Sequence, residues 1–179
     1  DLWQLGPFTL TDPYRTVVDI ARTSAFRYAL GYVDGLAREY GVEREELRAY
    51  AQANCRGLHG IARAFDVFEH MDGRSDNGGE SEARAAMILA GVAAPELQVE
   101  ITRPGNAGYY LADYGWQMSN GSWMLAELHG LGKFEDDAQN EPEYTAAKTY
   151  RAALMRDANL RAMGHNVIHF KLADTYDVK

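Results

Sequence analysis

Cysteine is almost absent from this chain. Cys55 is the only one in 179 residues, which excludes an internal disulfide and any zinc site built from several thiolates. It falls in a helical pattern, so a buried, inert thiol is expected. No apolar run approaches the length needed to cross a bilayer, which argues against a membrane partner. A secretory signal is missing too, because the chain opens Asp1-Leu2-Trp3 rather than with a basic and then an apolar segment. That opening also lacks an initiator Met, so further residues are expected upstream. Internal repeats and low-complexity stretches are absent. Together these features point to a reducing, cytoplasmic setting.

Positive charge is the other shortage. Lys and Arg total 18 against 26 Asp and Glu, a formal net charge of −8. The deficit is shared, with nine basic and twelve acidic residues before Gly79 and nine and fourteen from there on. A broad cationic surface for non-specific phosphate binding is therefore not expected. A nuclease is not excluded, because a metal site requires carboxylates and a divalent ion inverts the local field.

Hydrophobic residues supply 46% of the chain and aromatics 11%, enough for a sizeable core and too much for a disordered chain. The first part reads as helical. Thr11-Asp12-Pro13 is a start signal, with Pro where its missing N–H does no harm. Val17, Val18, Ile20 and Ala21 give the apolar stripe of the helix that follows. Ser24 is predicted to cap a second helix running to Tyr40, with Gly41 as its stop. A third is predicted over Glu43 to Asn54. In a fourth, Ile61, Ala64, Phe65 and Phe68 recur at i, i+3, i+4 and i+7. A strand around Pro7 to Leu10 precedes them.

The polar, Gly-rich stretch from Asp72 to Gly79 reads as a linker between residues 1–78 and a second domain, 79–179. Beyond it a helix spans Glu80 to Ala90 and strands span Leu97 to Thr102, Tyr109 to Tyr114 and Ser122 to Leu128. Ser119-Asn120-Gly121 marks a hairpin. A helix over Glu143 to Met163 and a strand over Asn166 to Lys171 complete the order αβββαβ. Short turns make the first three strands antiparallel, and the helical return favours parallel pairing of the fourth with a right-handed crossover. The expected class is α/β, an α+β mixed sheet flanked by helices and preceded by a small helical unit.

The acidic residues gain interest from this pairing. A hairpin centred on Ser119-Asn120 sets Asp113 and Glu127 almost opposite each other, about 5 Å apart at Cβ. Two like charges that close are unfavourable unless a cation lies between them. Mg²⁺ accepts hard oxygen ligands from one or two carboxylates and keeps several waters. His129, two residues from Glu127, projects to the same face. Lys133 follows Gly130-Leu131-Gly132, a flexible stretch that would let its ammonium reach the site. Plainer readings exist for each. Acids at strand ends are usually solvated, and Glu80 and Glu82 suit the positive end of a helix dipole. His129 beside a glycine is commonly a hydrogen-bonded surface group, and His165 and His169 read as structural.

Two sets of motifs then carry a resemblance. The run Gly79-Glu80-Ser81 with Arg84, followed by Pro95-Glu96-Leu97-Gln98-Val99-Glu100, resembles the opening of very-short-patch-repair-like endonuclease domains, which often form the C-terminal half of AbiEi-type antitoxin-like proteins. Ala112-Asp113-Tyr114-Gly115-Trp116 is similar to that family's acidic second strand. Glu127-Leu128-His129-Gly130 with Lys133-Phe134 looks like its third-strand signature, Glu-x-Asp-Gly with a later Lys and an aromatic. Arg156 to Gly164 and Val167-Ile168-His169-Phe170 resemble its closing helix and strand. Earlier, Arg15-Thr16-Val17-Val18-Asp19-Ile20-Ala21-Arg22 is similar to the helix that precedes the nuclease core in these proteins. Relatives commonly carry an N-terminal winged helix ahead of it.

The resemblance implies a PD-(D/E)XK restriction-endonuclease-like core and Mg²⁺- or Mn²⁺-dependent hydrolysis of DNA. Carried over by position, Asp113 and Glu127 are metal ligands, Glu80 is the acid of the first helix and a third ligand of the ion, and His129 or Lys133 assists. His129 departs from the pattern, standing where many relatives have an acid and the wider superfamily a lysine. The alternative is a catalytically inactive module of the same fold with a regulatory or protein-binding role, such as an antitoxin or phage-defence component.

Overall fold

A computed structural model describes residues 2–129 and 142–176. Among the described residues the chain is mixed α+β, with six α-helices, a mixed four-stranded sheet and a small antiparallel sheet. It divides into two compact units, Asp1–Gly91 and Val92–Lys179. No helix among the described residues is long and apolar enough to cross a membrane.

The first unit opens with a hairpin of β1 (Leu2–Leu5) and β2 (Phe8–Thr11), whose Leu2, Trp3, Leu5, Phe8 and Leu10 are all exposed. Helices α1 (Pro13–Thr23), α2 (Phe26–Tyr40), α3 (Arg44–Asn54), α4 (Ile61–Glu69) and α5 (Gly78–Leu89) follow. The start of α1 is as the sequence predicts: the Asp12 carboxylate accepts from the Arg15 N–H at 2.9 Å, and Pro13 takes the first helical position. The capping role predicted for Ser24 is corrected. Its N–H bonds the Ile20 carbonyl and closes α1, and Ala25 occupies the N-cap of α2 without a side-chain bond. Val18, Leu30, Val33, Leu47, Val67 and Phe68 form a fully buried core, joined by Cys55. Each such aliphatic or aromatic side chain contributes about 1.5–3 kcal/mol on leaving water.

The stretch expected to be a linker is tied onto α2. Asp72 N–H donates to Asp34 Oδ1 at 2.9 Å, Arg38 Nη1 donates to the Ser75 carbonyl at 2.9 Å, and Ser75 is buried. Its polar residues serve as bonding partners rather than as a solvated spacer. Helix α5 packs on α2 and belongs to the first unit, so the compact units meet between Gly91 and Val92.

In the second unit β3 (Glu96–Thr102), β4 (Tyr109–Gln117), β5 (Trp123–His129) and β6 (Asn166–Lys171) pair in that order, with α6 (Pro142–Ala162) between β5 and β6 in sequence. β3, β4 and β5 are antiparallel, and β5 and β6 are parallel, the arrangement read from the sequence. Val99, Ile101, Tyr110, Ala112, Leu125, Leu160 and Val167 make the core, which joins α6 to the sheet through Leu160.

Gly115 is required where β4 meets this core. A Cβ there would sit 2.9 Å from Val99 Cγ2, 3.0 Å from Trp123 Cε3 and 3.2 Å from Leu125 Cδ2. Gly115→Ala is expected to destabilise the unit by about 1–3 kcal/mol, the usual penalty of overpacking. The check is a lower urea midpoint at unchanged slope; an unchanged midpoint would show that the sheet has room to spare.

Candidate functional site

The β4–β5 register pairs Tyr114 with Ala126 and Gly115 with Leu125, and Asp113 and Glu127 are the residues next beyond that last pair on β4 and β5. Both acids are half-buried. Asp113 Oδ2 accepts from the Leu128 N–H at 2.8 Å, which holds its carboxylate against the strand that bears Glu127. On the other side of β4 the pairs Leu97↔Tyr114 and Val99↔Ala112 flank Gln98 and Asp113, where the ladder is interrupted. Gln98 has φ of 52°, and it is the one non-glycine residue with positive φ among the described residues. Such a conformation is unfavourable for a long side chain and persists only where its surroundings enforce it; strain of this kind clusters at functional sites.

Helix α6 brings charge onto the pair. Arg156 Nη2 donates to Glu127 Oε1 at 2.5 Å and also to the Leu111 carbonyl. Burial alone would lower the guanidinium's pKa, but the hydrogen bond and charge of Glu127, with the charges of Asp157 and Asp113, push it up overall. Arg156 therefore lies in the field of both acids. Its neighbour Asp157 is buried, and Asp157 Oδ2 lies 2.7 Å from His169 Nε2. His129 stacks on His169 with ring centroids 4.7 Å apart and planes 11° apart. The parallel register explains this neighbourhood, since it pairs Glu127 with His169 and His129 with Lys171. Asp157 Oδ1 is buried and makes no hydrogen bond among the described residues.

Asp113, Glu127 and His129 thus share the β4–β5–β6 end of one sheet. Glu80 lies in the first unit, at the start of α5. There its carboxylate accepts from Asp76 N–H at 2.8 Å and Asn77 Nδ2 at 2.9 Å, while Glu80 N–H donates to Asn77 Oδ1 at 3.1 Å. This reciprocal arrangement satisfies orphan donors around a helix start, as a capping box does. Lys133 lies outside the described residues.

The donor chemistry suits a hard divalent cation. Two carboxylates on neighbouring strands offer oxygen ligands, and Glu127 gives only Oε1 to Arg156 in the bond that links them. The site is a pair rather than a cage, for no group of three or more His, Cys, Asp or Glu among the described residues is arranged to hold an ion. Mg²⁺ is commonly bound this way, by one or two carboxylates completed by water and substrate phosphate.

Arg156, Asp157 and His169 were not among the candidate site residues. Their partners lie 29, 45 and 12 positions away in sequence, a separation that no local pattern reveals. The available signal was an Arg-Asp dipeptide one turn before the core residue Leu160, which fixes the side of α6 that meets the sheet. His165, read as structural, is so: its Nδ1 accepts from the Trp123 N–H at 3.1 Å at the start of β5.

Over 106 residues the chain is 36% identical to two uncharacterized proteins of Mycobacterium tuberculosis, one from strain CDC 1551 / Oshkosh and one from strain ATCC 25618 / H37Rv. The match covers 59% of this chain and 38% of each of those proteins, so the chain spans well under half the length of these relatives. No family model matches the chain, and no solved structure matches it.

Proposed function

We propose that the second unit is a restriction-endonuclease-like module that hydrolyses DNA phosphodiester bonds with Mg²⁺ or Mn²⁺. The observation that supports this reading is that Asp113 and Glu127 lie next beyond the last β4–β5 pair, with the Asp113 carboxylate bonded to the Leu128 N–H, near the strained Gln98. Asp113 and Glu127 would hold the ion. When bound, it supplies Lewis acidity toward a phosphoryl oxygen and lowers the pKa of water. The chain's own residues do the rest. The Leu128 N–H orients Asp113, and Arg156 orients Glu127. His129, stacked on the Asp157-anchored His169, presents an imidazole beside the pair for proton transfer or phosphate contact. Lys133 is an assisting residue in this reading, and Glu80, a third ion ligand by resemblance, belongs to the first unit and is left out of it. DNA is the partner in this reading and the cytoplasm the compartment.

One observation favours a second reading, a regulatory or protein-binding module that keeps the fold without the chemistry, as in an antitoxin or phage-defence component. Arg156 already pairs with Glu127 without a metal, and the net charge of −8 gives the chain no overall attraction for DNA phosphates. The two readings separate in a plasmid-nicking assay with Mg²⁺ or Mn²⁺. Metal-dependent nicking by the wild type and its loss in Glu127→Ala is the expected result. Equal cleavage by both proteins, or none by either, removes the nuclease assignment.

A further inference from the structure

Glu127 is not waiting in isolation, for a cation already sits on it. Arg156 reaches across from α6 with a single nitrogen, Nη2, that serves both Glu127 Oε1 and the backbone carbonyl of Leu111. Its side chain is 23% exposed and that of Glu127 15%, so the pair lies at the edge of the core, within reach of solvent. Leu111 stands two residues before Asp113 on β4, so the guanidinium bridges the two strands that carry the acids.

We propose that Arg156 is the internal counter-ion of the metal pair, a positioning residue that holds Glu127 in the metal-free protein and sets the affinity for a divalent cation by competing with it. This rests on the reading of Asp113 and Glu127 as metal ligands. The physical argument is one of charge. Neighbouring carboxylates repel, and the Arg156 charge beside Glu127 offsets that repulsion. A guanidinium suits the resting state, since it is permanently charged, weakly hydrated and able to bond a carboxylate and a carbonyl from one planar fork. A divalent ion arriving at Glu127 meets that fixed positive charge, and the ion pair must loosen or turn aside for it to bind. The same residue therefore assembles the site and lowers its affinity, so that binding is favoured most where substrate phosphate adds negative charge to the complex.

This account fixes the sign of a measurable change. A residue that merely props Glu127 in place would weaken metal binding when removed. A competing counter-ion would strengthen it. Calorimetric titration of Mn²⁺ into Arg156→Gln is expected to give binding about tenfold or more tighter than in the wild type, because a full charge is removed at hydrogen-bond distance from a ligand. Without metal the variant should melt at a lower temperature than the wild type, and Mn²⁺ should raise its melting temperature by more. Arg156→Lys, which keeps the charge but not the two-acceptor geometry, should change affinity in the same direction and by less, and it serves if the glutamine variant does not fold. Affinity in either variant that equals or falls below the wild type overturns the counter-ion role, while wild-type metal binding and nicking leave the nuclease reading standing. Tighter binding in the variants with no nicking by the wild type supports the counter-ion and removes the nuclease. No Mn²⁺ binding by the wild type or by either variant overturns both.

Discussion

Replacement of Glu127 by alanine is expected to lower metal-dependent DNA cleavage about a thousandfold, the effect of losing several kcal/mol of metal-borne charge stabilisation at 1.36 kcal/mol per tenfold. The change deletes one of the two carboxylates that the hairpin opposes, and a single remaining acid is a poor anchor for a hard ion. It also strips Arg156 of its carboxylate partner, leaving a half-buried guanidinium beside Asp113. Lost activity could then reflect lost structure, so the comparison needs Glu127→Gln. Glutamine keeps the shape and an oxygen acceptor for Arg156 but removes the charge. Both variants should be inactive, with the glutamine protein melting close to the wild type. A glutamine variant that cleaves at the wild-type rate would show that the charge at position 127 serves no catalytic purpose.

Arg84→Ala is expected to destabilise the first unit by about 3–5 kcal/mol, the usual consequence of leaving a buried charge without its partner. Arg84 Nη2 donates to both oxygens of Asp34, at 2.9 and 2.7 Å, and both side chains are buried. Asp34 also accepts from Asp72, so the pair joins α2 and α5 to the segment between α4 and α5. Burial raises the Asp34 pKa, and the charge of Arg84 is the leading influence that opposes the rise. Without Arg84 the carboxyl would rise further. The sign then follows: a carboxyl whose folded-state pKa lies above its unfolded value destabilises the fold at high pH, and that penalty fades as pH falls through the folded value. The loss of stability should therefore be largest at neutral pH and smaller under mildly acidic conditions, as read from thermal melts across that range. Leucine at 34 with methionine at 84 should recover much of the loss, since a packed apolar pair can replace a buried ionic one. A single-site loss below 1 kcal/mol would mean that water reaches Asp34 in the variant.

Arg84 also shows where sequence reading stopped short. Its place after Gly79-Glu80-Ser81 suggested a motif of the second domain, yet it faces Asp34, fifty residues away, inside the helical unit. The polar run Asp72–Gly79 misled in the same way: side-chain polarity looks alike in a solvated spacer and in a segment whose groups bond Asp34 and Arg38. Elements governed by local rules were legible. Pro13 after Asp12 placed the start of α1, the Ser119-Asn120-Gly121 turn placed the β4–β5 hairpin, and Gly121 takes the positive φ that such a turn requires. The turn also set the antiparallel register, in which Asp113 and Glu127 come next beyond the Tyr114↔Ala126 pair. Arg156, Asp157 and His169 were not legible, because they arrive through α6 and a parallel crossover, where packing rather than spacing selects partners. The strain at Gln98 has no sequence signature, since glutamine is unremarkable in an alternating strand. The β1 strand was missed for another reason: Leu2 to Leu5 is too short to show a period.

The account stands on the claim that the Asp113–Glu127 pair is a cation site. The most direct measurement is a crystal structure of the protein grown with Mn²⁺, with anomalous data collected at the manganese edge. A single strong anomalous peak bridging the two carboxylates, with Arg156 moved away from Glu127, is the expected result. A well-ordered map with no peak there, and Arg156 still on Glu127 Oε1, would contradict it.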